Sequence, residues 1–265
     1  MLTNKIYKSS CYPEKETYKQ EVYSPYNELP TIMKKILTLL ILIAYYQDGI
    51  SQKDTTSDQL TVINILGAKV YAQPNFDSKT STELKVGEKI VVEKIIPSND
   101  QIEIGNGFAL SGDWIKPMEI SGFVFSSDLT DKNAEIGPNK YGQINVDLKG
   151  NLIDEKEEEK KKKTENGVFP KYFEYKYYEN GTYTYKSWDG CFDHITEYKN
   201  LTISEVYHQM VSDYGINMSD INGTSFWIPI FKEKSGNFIK FEGEGATQDL
   251  KIELKENGNI IVSSY

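Results

Sequence analysis

From residue 62 to residue 130 the chain alternates short apolar runs with turn residues, and that punctuation confines the segment to short strands. Leu66 to Ala72 runs into Gln73-Pro74-Asn75, a turn signal. Leu84 to Lys89 leads into Ile90 to Ile96; then come Gln101 to Ile104, Gly112 to Lys116 and Gly122 to Ser126. Strands this short expose their edges unless the sheet closes, so the pattern predicts a small β-barrel. Gly87 stands where a turn calls for a positive φ angle. Gly122 opens a strand and admits a close backbone approach.

The order of these pieces resembles the bacterial Src-homology-3 domain. The resemblance rests on Val70-Tyr71-Ala72-Gln73-Pro74, on Leu84-Lys85-Val86-Gly87 leading to Ile90-Val91-Val92, on Trp114-Ile115-Lys116, and on Gly122-Phe123-Val124-Phe125 closing at Leu129. It covers about a quarter of the chain. Two departures stand out: Tyr71 replaces the usual arginine of the first strand, and Pro97 to Asp113 makes a long loop before Trp114. Members of this family commonly bind cell-wall peptides or peptidoglycan. The resemblance therefore implies a ligand groove formed by Tyr71, Trp114, Phe123 and Phe125, with Asp113 and Asp128 as polar contacts. Strand alternation puts Phe123 and Phe125 on one face and Val124 on the other, so a core Val124 leaves both rings available.

Residues 131–167 read as a linker. Their charged run, Asp154 to Lys163, offers pairs such as Glu157–Lys161 in the favourable helical order, so a solvated tether or short exposed helix is expected. From 168 to 265 the pattern predicts a separate α+β domain with an antiparallel sheet and one main helix. Asn180-Gly181 between Tyr172–Tyr178 and Thr182–Trp188 is a hairpin signal, and Cys191–Tyr198 reads as the next strand. A helix is expected over Thr202–Tyr214, capped by Ser204 and burying Val206, Met210 and Val211. Strands follow at Ser225–Phe231, Phe238–Gly243, Asp249–Leu254 and Ile260–Ser264. The fold class is thus mainly β: a small Src-homology-3-like barrel, then the α+β domain, whose family the sequence does not identify.

The formal charge is −9 and every basic residue is lysine. Phosphate neutralisation dominates nucleic-acid binding and bidentate base reading needs a guanidinium, so nucleic acid is excluded as a partner. Two histidines and two cysteines show no metal-ligand spacing, and no cofactor or metal is expected. Cys191 and His194 lie three apart on a strand and face opposite sides, while His208 lies on the helix. No catalytic residues are assigned, and Cys191 reads as a structural, buried cysteine.

Before the barrel, Lys34-Lys35, an apolar stretch from Ile36 to Tyr46, and small residues at Gly49 and Ser51 have the order of a secretory signal peptide. Eleven residues of helix span about half of a hydrocarbon core, so the membrane is engaged only through this segment. The signal is placed at 33–51, with residues 1–32 an unstructured or non-native leader and Met33 the expected start. The chain is therefore expected to be exported, to the periplasm or beyond. Two functions fit: a non-catalytic binding protein of the bacterial envelope that recognises wall material or an extended peptide, or an interaction module that docks a protein partner. An enzyme site in the second domain is the weakest reading.

Overall fold

The computed structural model describes residues 59–139, 142–164, 167–220, 223–243 and 249–265. The expected leader and signal segment, 1–51, lie outside the described residues. Residues from Ser57 to Tyr265 form one compact unit, mainly β with antiparallel sheets and one α-helix among the described residues.

The first nine strands are β1 (Gln59–Val62), β2 (Ala68–Tyr71), β3 (Thr80–Leu84), β4 (Lys89–Ile96), β5 (Gln101–Gly105), β6 (Phe108–Ser111), β7 (Trp114–Pro117), β8 (Phe123–Phe125) and β9 (Leu129–Thr130). Seven of them make a sheet in the order β3-β2-β8-β7-β4-β1-β9 around Val62, Ala68, Val70, Leu84, Ile90, Ile115, Val124 and Leu129. Both glycine expectations hold. Gly87 has φ +85°, and a Cβ on Gly122 would lie 2.6 Å from the Tyr71 carbonyl oxygen.

The expected closed barrel is not formed: β3 and β9 end the sheet and do not pair with each other. The reason lies in β9, which is two residues long. Its Thr130 hydroxyl donates to the Glu205 carboxylate of the helix, so a helix side chain takes the place of a closing strand.

The long loop expected before Trp114 is a hairpin, β5–β6. Its Phe108 and Leu110 are buried with Val146, Leu148, Tyr198, Val206, Met210, Phe241 and Leu250, so the two expected domains share a core rather than standing apart. Residues 131–167 are likewise no tether. They contain the hairpin β10 (Glu135–Pro138) and β11 (Ile144–Asp147), and then β12 (Leu152–Thr164), which holds the whole charged run. β12 pairs along its length with β13 (Gly167–Tyr178). In place of helical pairs four apart, Lys156 and Lys160 both reach Glu158, two residues away on the same strand face. The aromatic-rich β13 selects the extended form, because cross-strand pairing outweighs helical ion pairs worth a few tenths of a kcal/mol.

After β14 (Gly181–Trp188) and β15 (Cys191–Tyr198) comes α1 (Ile203–Tyr214), then β16 (Ile216–Asp220), β17 (Gly223–Trp227), β18 (Ile230–Ser235), β19 (Phe238–Glu242), β20 (Asp249–Leu254) and β21 (Ile260–Ser264). The large sheet runs β12-β13-β14-β15-β21-β20-β19-β18. The cap of α1 is Thr202 rather than Ser204: its hydroxyl accepts from the Glu205 amide while the Glu205 carboxylate accepts from the Thr202 amide. Ser204 is instead buried, the first of nine consecutive buried residues ending at Ser212.

Candidate functional site

The helix carries polar side chains into the interior, and each of four meets another part of the fold. Glu205 holds Thr130. Gln209 accepts from the Leu148 amide and donates to the Val146 carbonyl, and the Ser212 hydroxyl accepts from the Val146 amide. Together Gln209 and Ser212 satisfy the free backbone groups of β11, which would otherwise cost about 1–3 kcal/mol each when buried. His208 faces the turn after β8: its Nε2 lies 3.4 Å from an Asp128 carboxylate oxygen, yet it makes no hydrogen bond.

Between that turn and the helix lies a cavity of about 450 Å³. From the first sheet and its turns come Asn64, Leu66, Tyr71, Phe76, Phe125 and Asp128; from the helix, Tyr207, His208 and Val211; from the β5–β6 hairpin, Ile102, Ile104 and Leu110. The walls are mainly apolar, and polar groups gather where Asn64 donates to Asp128 at 3.0 Å. A mostly apolar cleft with a few convergent polar groups is the form a ligand site takes.

The six candidate residues divide evenly. Tyr71, Phe125 and Asp128 border the cavity; Trp114, Phe123 and Asp113 do not. Val124 is a core residue as the alternation required, but Phe125 is not thereby exposed. Both faces of β8 are covered, Val124 by the aliphatic core and Phe125 by a cluster of rings. In that cluster Phe76 sits 4.8 Å from Phe125 and 4.9 Å from Trp114, and Tyr71 packs edge-on to Trp114 at 5.3 Å. Trp114 is 1 % exposed and donates its indole N–H to Asp100 at 2.7 Å, so it fixes the base of the β5–β6 hairpin instead of meeting a ligand. Asp113 accepts from the Ser98 amide at the same base.

Electrostatics single out Asp128. Burial raises the Tyr71 phenol above its ordinary value, and the Asp128 charge adds to the rise. The Tyr207 phenol is pushed up to about 12 by the same two causes in the same order. Both tyrosines therefore remain neutral donors beside a negative centre.

The other chemistry-bearing residues lie elsewhere. Cys191 is half-buried at the start of β15, so it is not the fully buried cysteine expected. His194 pairs with the Tyr183 hydroxyl at 2.7 Å. Among the described residues no group of three or more His, Cys, Asp or Glu could hold a metal ion, and no helix is long and apolar enough to cross a membrane.

His208 is the site residue that sequence reasoning passed over, since only tertiary structure brings the helix against Asp128. A histidine amid Glu, Gln and Ser on a helix with a capping box was the available signal: that many polar groups on one short helix implies partners on several sides. No family model, curated protein or solved structure matches the chain.

Proposed function

We propose that the protein is an exported, non-catalytic binding protein of the bacterial envelope, and that the cavity between the first sheet and α1 seats an apolar group of wall material or of an extended peptide. The observation that carries this reading is the cavity itself: about 450 Å³, walled mainly by aromatic and aliphatic side chains with polar groups among them. A partner that offered only a flat surface would leave such a space without purpose, which sets this reading above simple docking. Tyr71 gives the edge of the site a half-buried ring, the kind of surface on which extended ligands lie. Export draws its support from the charged, apolar and small-residue order at 34–51.

The test is co-sedimentation of the full chain with purified peptidoglycan sacculi, with Tyr71→Ala alongside. Pelleting of the parent chain and its loss in the variant, with an unchanged circular dichroism spectrum, is the expected result. A parent chain that stays in the supernatant refutes wall recognition.

A further inference from the structure

Deepening that reading, we infer that the cavity takes a primary ammonium group on an apolar stem, such as the end of a lysine-type side chain. The inference rests on the cavity being a ligand site and adds what its polar end selects.

Three observations converge. First, His208 is 4 % exposed and its Nε2 has no hydrogen-bond partner, although it borders an open cavity. A buried polar atom left unpaired is unfavourable, so a ligand that supplies the missing partner recovers that loss. In the tautomer that carries its proton on Nδ1, Nε2 is an acceptor and requires a donor.

Second, its neighbour at 3.4 Å is a carboxylate. Asp128 is 9 % exposed; Asn64 gives it one side-chain donor, and its charge is felt at Tyr71 and Tyr207. A carboxylate and an imidazole nitrogen side by side ask for one group that donates to both and carries positive charge. A hydroxyl has one proton to give; an ammonium has three and the charge. A carboxylate ligand would be repelled.

Third, rings of Tyr71, Phe76 and Tyr207 border the same space, and aromatic faces favour cations held against them. Leu66, Ile102, Ile104 and Val211 would cover the apolar stem. Glu83 also borders the cavity; its one lysine, Lys69, is exposed.

The experiment is calorimetric titration of the full chain with n-hexylammonium, n-hexanol and n-hexanoate, which share a stem and differ in the head. Hexylammonium should bind at least about tenfold more tightly than hexanol, a difference near 1.4 kcal/mol, and hexanoate should not bind. Leu66→Lys places a cation at an exposed rim position, where folding is not at stake. It should weaken hexylammonium several-fold more than it weakens hexanol, which shares the stem that Leu66 covers. Equal binding of the alcohol and the amine, binding of hexanoate, or indifference of hexylammonium to Leu66→Lys would each overturn the ammonium assignment. If the alcohol matches the amine while Tyr71→Ala still abolishes sedimentation, only that assignment falls. If hexylammonium binds as expected and sacculi do not, wall recognition falls and the ammonium site stands.

Discussion

Two hairpins, β5–β6 and β12–β13, lie partly in stretches that read as connections, and their burial is opposite. The shorter one inserts Phe108 and Leu110 among side chains of α1 and the large sheet; the Phe108 ring stands 6.0 Å from Tyr207 and 6.1 Å from Phe241. The longer one is mostly exposed along β12 and keeps its order through a ladder on one face. There Phe173, Tyr175 and Tyr177 stack at 6.1 and 6.5 Å, with Lys160 over Phe173 and Lys156 over Tyr175. Identical backbone pairing thus does two jobs. Apolar tips join parts of a fold, whereas alternating charges close an edge: β12 ends the large sheet, and its glutamates and lysines discourage another strand from adding there.

The contrast makes graded predictions. Phe108→Ala should cost the most, about 3–5 kcal/mol in urea unfolding, because it empties a site where the two halves meet. Gly105→Ala comes next at about 1–3 kcal/mol, since the added Cβ would fall 2.1 Å from the Phe231 ring and the hairpin could not seat without displacing it.

A third test concerns the sheet beyond the long hairpin. Burial holds the His194 imidazole below its ordinary value of 6.5, with the Asp193 and Glu174 charges opposing. Its partner Tyr183 keeps a proton until about 12. The unfolded histidine takes up a proton near 6.5 and the folded one only at lower pH. Stability must therefore fall as pH drops through 6.5, and the thermal midpoint should decline less in His194→Gln. Smallest of all, Lys160→Ala should change stability by a few tenths of a kcal/mol, because its pair with Glu158 is solvent-exposed and screened. If Lys160→Ala cost as much as Phe108→Ala, the distinction between the hairpins would collapse.

What the sequence disclosed follows the same division. The Asn180-Gly181 turn, β15, β20 and β21 depend on neighbours in sequence or on strict alternation, and their boundaries could be read directly. The Glu158 run could not, because its conformation is decided by Phe173 and Tyr175 across the hairpin, not by its own helical spacing. Phe108 and Leu110 alternate plainly, yet nothing near them says that their partners lie about a hundred residues on. The site shows the same limit. Tyr71, Phe125 and Asp128, which the family likeness singles out, border the cavity, but Phe125 does so from within a ring cluster rather than as an exposed ring. Trp114 was misplaced because a buried indole with a hydrogen-bond partner looks the same in sequence as one awaiting a ligand. His208 reads in sequence only as a helix residue, because its neighbour Asp128 lies 80 positions earlier, in the turn between β8 and β9.

The capture of β11 by Gln209 and Ser212 has a dynamic consequence. The amides of Val146 and Leu148 are shielded by side chains of a helix more than 60 residues away, not by a neighbouring strand. Their exchange with deuterium is governed by lifting of the helix, so two protons in and just beyond β11 time the opening of an element that also forms a wall of the cavity.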